Sequence, residues 1–119
     1  MARIALFDDD EVVRMTTSRM LERAGGFEVL SFEDGADALS MDFSAIDLVI
    51  TDFFMPTPGD EVIKELRRRG LTLPLMVLSG TIEAGDREML ERIGADCVME
   101  KPMPIDELVA AVRKLLSET

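Results

Sequence analysis

Hydrophobic patterning along this chain switches five times between short apolar runs of β character and stretches with helical spacing, joined by short connections. Residues 3–7 are apolar and branched enough for the centre of a sheet. Residues 11–24 set Val12, Val13, Met20 and Leu21 among charges, which makes one helical face apolar, and Gly25-Gly26 stop that helix. Residues 28–32 predict a second strand nearer an edge, and Asp34-Gly35 open a weak helix through Ala36, Ala38, Leu39 and Met41. A third strand is expected over 46–51. Pro56 and Pro58 bar any helix before Gly59, after which residues 60–69 bury Val62, Ile63 and Leu66. Pro74 introduces a strand at 75–78. A charged helix at 84–93 is stopped by Gly94, and a strand at 97–100 and a helix at 105–116 complete the pattern. Parallel strands need crossover connections, and helices supply them. The alternation therefore predicts an α/β fold, a doubly wound five-stranded parallel sheet with helices on both faces, in a single domain spanning 1–119.

Composition removes whole classes of chemistry. The chain has 119 residues and no histidine, so it has no imidazole for a serine-histidine-acid triad, a zinc hydrolase site or a phosphohistidine carrier. Its formal charge of −11, from 24 acidic and 13 basic residues, repels nucleic acid and anionic membranes and attracts cations and basic partner faces. Arg67, Arg68 and Arg69 form the one basic cluster. At a helix end they are expected to complement the dipole and stay solvated. No run approaches the ~20 apolar residues of a membrane span. The single cysteine, Cys97, suggests a reducing, cytoplasmic setting and a packing role in a buried strand.

Chemistry collects where the predicted strands end. Four acidic residues, Asp8 to Glu11, follow the first strand; Asp52 closes the third, Ser79 the fourth and Lys101 the fifth. Clustered carboxylates repel one another unless a cation offsets them, and parallel sheets bind ligands at their C-terminal strand ends. Taken singly, an aspartate after a strand is as readily a turn or helix cap as a ligand. Asp10 and Glu11 keep that reading, at the start of the first helix. Three carboxylates, a hydroxyl and an ammonium on one sheet edge instead describe a site for a divalent cation and an anionic ligand.

The residues carrying these features are Phe7-Asp8-Asp9-Asp10, Asp52 followed by Met55-Pro56 and Gly59, Leu78-Ser79-Gly80, and Gly94-Ala95-Asp96 leading to Lys101-Pro102. In order and spacing, over essentially the whole chain, they resemble the receiver domains of two-component response regulators, similar in layout to the chemotaxis regulator. The resemblance implies a flavodoxin-like sheet of order 2-1-3-4-5 and a function of accepting a phosphoryl group. Asp52 would be the phosphoacceptor. Asp8, Asp9, Asp52 and the backbone carbonyl of Phe54 would bind Mg²⁺, with Mn²⁺ as a substitute. Lys101 would pair with phosphoryl oxygens, Ser79 would donate its hydroxyl to them, and Gly80 would leave room for the group. The Lys101–Pro102 bond is expected to be cis. The implied phosphodonor is a sensor histidine kinase or a histidine phosphotransfer protein. Homodimerisation through the last strand and last helices is a further expectation, and no nucleic-acid or membrane partner is expected for this chain.

Three positions individualise the pattern. The segment from Met55 to Gly59 is one residue shorter than the family form, and two prolines stiffen it. Val98 stands where many members carry a ring that turns inward on activation. Phe54 and Thr81 supply neither a strong base nor an amide to orient water, which predicts slow loss of the phosphoryl group. Two other readings compete. A Mg²⁺-dependent small-substrate phosphatase would want a second acid at position 54. A non-phosphorylated interaction module would have no physical need for the clustered acids. Whether the chain is a whole protein or the receiver piece of a longer regulator, with an output domain elsewhere, is left open by the residues themselves.

Overall fold

A computed structural model describes residues 1–118; Thr119, the last residue of the expected domain, lies outside them. Ten elements follow in order: β1 (Arg3–Phe7), α1 (Glu11–Gly25), β2 (Glu28–Phe32), a short 3₁₀ helix (Gly35–Leu39), β3 (Leu48–Thr51), α2 (Gly59–Arg68), β4 (Leu75–Ser79), α3 (Asp86–Ile93), β5 (Cys97–Glu100) and α4 (Ile105–Ser117). All strand pairings are parallel and the order is β2-β1-β3-β4-β5, the doubly wound arrangement expected.

The strands are apolar on both sides because both faces are covered. Ala5, Phe7, Val49, Leu75 and Val77 pack on one face with Val62, Ile63 and Leu66 of α2 and Leu90 of α3. Their neighbours Ile4, Leu6, Leu48, Ile50, Met76 and Leu78 point the other way, against Leu21 of α1 and Leu108, Val109, Val112 and Leu115 of α4. Apart from Ala5, each such side chain, when fully buried, contributes about 1.5–3 kcal/mol of transfer free energy. The register then decides where the chemistry lies. Phe7 is level with Thr51, Thr51 with Val77, and Ser79 with Glu100. The residues that follow β1, β3 and β5, namely Asp8, Asp52 and Lys101, therefore leave the sheet beside one another.

Local signals set the helix ends. Asp10 caps α1 by accepting the Val13 N–H at 3.0 Å, and Gly26 ends it in the left-handed region at φ 71°, where a side chain would be strained. Gly85, at φ 89°, starts α3 two residues later than the charge pattern predicts. The weak helix after Asp34 is a single 3₁₀ element. The Arg69 guanidinium donates to the carbonyls of Ala38, Leu39 and Met41, so these are satisfied by a side chain and no further helical turn is needed. β3 begins at Leu48 rather than residue 46, because the Ile46 N–H turns back to the Phe43 carbonyl at 3.0 Å.

Two expectations about single residues are corrected. Arg67 and Arg69 are not solvated dipole partners. Arg67 reaches the carbonyls of Gly94, Leu71 and Leu73 and the Asp96 carboxylate, all within 3.0 Å, which ties α2 to the approaches of β4 and β5. Arg69 holds the 3₁₀ helix, as above. Only Arg68 extends into solvent, paired with Glu65. Cys97 is half-buried rather than buried, since β5 is an edge strand; burial still pushes its thiol pKa up.

Candidate functional site

The three acids predicted to converge do so. One carboxylate oxygen from each of Asp8, Asp9 and Asp52 falls in a group whose members lie within 4.8 Å of one another. Asp8 is buried, with only 3 % of its surface exposed, Asp52 is partly buried and Asp9 is exposed. Backbone pairing extends past the strands to hold two of them. The Asp8 N–H donates to the Phe32 carbonyl at 3.1 Å and the Asp52 N–H to the Phe7 carbonyl at 2.8 Å. Oδ1 of Asp8 accepts the Asp10 N–H at 3.0 Å, and Oδ1 of Asp52 accepts the Phe53 N–H at 2.7 Å. Each of these two carboxylates thus has its Oδ1 fixed by backbone, which leaves Oδ2.

Lys101 faces those remaining oxygens. Its ammonium is 2.7 Å from Asp8 Oδ2 and 3.5 Å from Asp52 Oδ2. The preceding chain is steered by the Lys101 N–H, which donates to the Ser79 carbonyl at 2.8 Å, and the Lys101–Pro102 bond is cis, as the resemblance implied. Burial pushes the Asp52 carboxyl above the usual carboxylate range; the Lys101 charge opposes that shift and the Asp8 charge adds to it. One ammonium does not balance three carboxylates. The surplus negative charge and the all-oxygen donor set suit a hard divalent cation.

Ser79, at the end of β4, is wholly buried. It exerts a minor pull toward the ionised form of Asp52, yet its Oγ makes no hydrogen bond of normal geometry among the described residues. Apart from its chain neighbours, a Cβ added to Gly80 would meet no atom within 4 Å, so open space lies beside Gly80. Gly80 also lines an apolar groove of about 420 Å³ with Val12, Thr16 and Met20 of α1 and Lys101, Pro102 and Met103.

The loop after Asp52 folds back on itself. The Gly59 N–H donates to the Phe53 carbonyl at 2.9 Å, and a Cβ on Gly59 would sit 2.2 Å from the Asp52 carbonyl oxygen. Only glycine allows this approach, and it lets α2 begin directly beside the site. Phe54 is 56 % exposed, its ring 4.9 Å from that of Phe53. With Met55, Pro56, Pro58, Asp9 and Asp60 the two rings line an open cavity of about 600 Å³.

Two contributors escaped the sequence reading. The Arg14 guanidinium donates to the Asp8 carbonyl at 2.8 Å, bracing the acidic turn from α1. Asp34, read only as a helix opener, also receives Thr57 from the loop beside Asp52. Both contacts join residues that lie in different elements, and neither residue type signals such a partner in the sequence.

Comparisons with known proteins agree with this geometry. The family model described as the response regulator receiver domain matches residues 4–113. The response regulator MprA of Mycolicibacterium vanbaalenii is 37 % identical over 119 residues, covering 98 % of this chain and 51 % of that protein. The chain spans about half the length of the curated relatives it matches. Among solved structures, the Vibrio cholerae chemotaxis protein CheY4 superposes with a TM-score of 0.87 at 26 % identity, covering 97 % of this chain and 98 % of its own. The non-phosphorylated HemR receiver domain of Leptospira biflexa gives 0.89 at 25 % identity, with 100 % and 97 % covered.

Proposed function

The chain belongs to the response regulator receiver domain family, and on that premise we propose that it accepts a phosphoryl group on Asp52 in a Mg²⁺-dependent reaction. The donor is the phosphohistidine of a sensor histidine kinase or of a histidine phosphotransfer protein. An Asp52 carboxylate oxygen attacks phosphorus in line as the bond from phosphorus to the donor imidazole breaks. The product is an aspartyl phosphate and a free histidine on the partner.

The chain's own residues have few but definite tasks. Phosphoryl transfer needs the nucleophile in line and the charge on the transferring oxygens neutralised. Asp8, Asp9, Asp52 and the Phe54 carbonyl would hold the ion, which supplies Lewis-acid neutralisation of those oxygens when bound; Mn²⁺ has the same ligand preferences and serves as a substitute. Lys101 turns its ammonium from Asp8 and Asp52 to the incoming phosphoryl oxygens, and Ser79 donates its hydroxyl there. The apolar groove between α1 and Met103 runs up to Lys101, which gives a partner's helix a surface beside the nucleophile. The added charge then shifts the balance between two conformations of the partner-binding face. The reaction turns over no external substrate.

The reading rests above all on one observation, the Lys101 ammonium set between Asp8 and Asp52 inside a three-carboxylate cluster. Phe54, where a second acid would be wanted, speaks against a small-substrate phosphatase. The preserved cluster speaks against a module that has lost the chemistry. No helix among the described residues is long and apolar enough to cross a membrane. We assign a cytoplasmic setting on the single cysteine and no nucleic-acid contact to this chain on its negative charge; dimerisation through β5 and the last helices is the corresponding assembly proposal.

Incubation with Mg²⁺ and acetyl phosphate, read by intact mass, tests the reaction. A gain of about 80 Da, one phosphoryl group on a carboxylate, that needs Mg²⁺ and is absent in Asp52→Ala is the expected result. Bound Mg²⁺ without any gain, from this donor or from a phosphorylated histidine phosphotransfer protein, would refute it.

A further inference from the structure

The loop from Asp52 to Gly59 is pinned at its two ends, by the backbone of Asp52 and Phe53 and by the crowded Gly59. Its middle carries Phe54, and one side chain from elsewhere holds it. Oδ1 of Asp34 accepts the Thr57 N–H at 2.8 Å and Oδ2 accepts the Thr57 hydroxyl at 3.1 Å, while Oδ1 also takes the Gly35 N–H at 2.8 Å. Thr57 is flanked by Pro56 and Pro58, and proline has no N–H to give. In this stretch the amide that Asp34 captures is therefore the one on offer.

Gly35 makes the contact close. A Cβ there would lie 2.8 Å from the Thr57 carbonyl oxygen, 2.7 Å from Val62 Cγ2 and 3.3 Å from Met55 Cε, so the loop rests directly on the start of the 3₁₀ helix. Burial alone would raise the Asp34 carboxyl pKa, but the hydrogen bonds from Thr57, Gly35 and Ala36 outweigh it and hold the group below its usual value. The carboxylate stays charged in any near-neutral solution and keeps the two bonds from Thr57 and the one from Gly35.

We propose that Asp34 is a positioning residue for the metal site: through Thr57 it sets the loop after Asp52 that carries the Phe54 carbonyl, proposed above as a ligand beside Asp8, Asp9 and Asp52. This rests on the cation-binding reading of that cluster. Asp34 touches neither ion nor phosphoryl group, so its effect reaches the site through the backbone of residues 54–57. Partners that orient a ligand in this way are commonly worth about ten- to a hundredfold in metal affinity.

The test is calorimetric titration of the full chain with Mn²⁺. Asp9→Asn checks that binding occurs at the acidic cluster, and Leu115→Ala is a destabilised control on the opposite face. Asp34→Ala, folded by circular dichroism, is expected to bind Mn²⁺ about tenfold more weakly. Asp34→Asn is expected to recover most of the loss, since an amide oxygen still accepts both N–H groups. Leu115→Ala should melt lower with its affinity unchanged. A folded Asp34→Ala variant within twofold of the parent overturns the inference. Should Asp34→Ala not fold, Thr57→Val decides: removal of the hydroxyl bond alone is expected to weaken binding about threefold, and unaltered affinity overturns the proposal. A parent chain that does not bind Mn²⁺ removes the cation reading itself and this inference with it, an outcome separable from tight parental binding that ignores Asp34.

Discussion

The Lys101 ammonium rests on Asp8, at 2.7 Å, and stands farther from Asp52, at 3.5 Å. Lysine therefore occupies one of the carboxylates assigned to the cation. Removing the ammonium strips a competitor for Asp8 and leaves its buried charge uncompensated, a loss that typically costs about 3–5 kcal/mol.

Lys101→Met is accordingly expected to melt well below the parent without metal, and to gain more in melting temperature than the parent does when Mg²⁺ is added. Its Mg²⁺ affinity by calorimetry should equal or exceed the parent's. Its phosphorylation by acetyl phosphate should slow by about a hundredfold, the usual order for losing one charge-stabilising donor. Weaker Mg²⁺ binding would mean that lysine and ion cooperate rather than compete.

Phe54, two residues after Asp52, presents an exposed ring that cannot orient water. Phe54→Asn is expected to shorten the aspartyl-phosphate half-life about tenfold or more, as orienting a nucleophile commonly does. Loss of the added mass over time measures it directly, and an unaltered half-life would refute the role.

The raised pKa of Asp52 makes a prediction about stability. A carboxyl that titrates higher in the folded chain than in the unfolded one penalises folding once it ionises. The penalty is absent below the ordinary carboxylate value, grows as pH rises from there through the raised folded value, and is complete above it. Asp52→Asn should melt a few degrees higher than the parent near pH 7 (about 1 kcal/mol corresponds to 2–8 °C in domains of this size range). The difference should shrink toward pH 4. Mg²⁺ should raise the melting temperature of the parent more than that of the variant.

Arg67 satisfies three carbonyls and one carboxylate from its place at the end of α2. Arg67→Met keeps much of the packing and abandons those acceptors, at an expected loss of about 2–4 kcal/mol. Chemical denaturation measures it. Arg68→Met, three-quarters exposed beside Glu65, should change stability by about 0.5 kcal/mol or less.

Val98 is buried and has no ring to swing, but its carbonyl receives the guanidinium of Arg87 from α3. That contact couples helix and edge strand by a different route. Chemical shifts recorded with a phosphoryl mimic should move in α3 and β5 together in the parent, and the β5 response should fade in Arg87→Ala. A response that survives in the variant would place the coupling elsewhere.

The parts of this molecule that follow from short-range chemistry could be read directly from its residues. Strand runs such as Ile4-Ala5-Leu6-Phe7, the stop at Gly26, the helix opening at Asp34 and the proline-delayed start of α2 at Gly59 all depend on neighbours in the chain. The convergence of Asp8, Asp9, Asp52, Ser79 and Lys101 was equally legible, because a parallel sheet brings its strand ends to one edge. Contacts between distant segments were not. Nothing local marks Arg67 for Gly94, Arg69 for the 3₁₀ helix, or Asp34 for Thr57, since an arginine near a helix end and an aspartate before a glycine each have an ordinary local use. The ranges of β3 and α3 differ for the same reason: the Ile46 amide and Gly85 answer to turns that periodicity does not encode.

Ser79 Oγ is buried and has at most a weak contact with Asp52, so its hydrogen-bonding capacity is not fully used. An unmet buried hydroxyl costs about 1–3 kcal/mol, and every 1.4 kcal/mol is a tenfold change in an equilibrium constant. An oxygen that arrives within reach of Ser79 can therefore bias two conformations by about five- to 140-fold. Inverting a one-to-nine population takes roughly eightyfold, which lies within the reach of one hydroxyl. The message then lies in completing, at one buried hydroxyl, a hydrogen bond that the fold leaves weak.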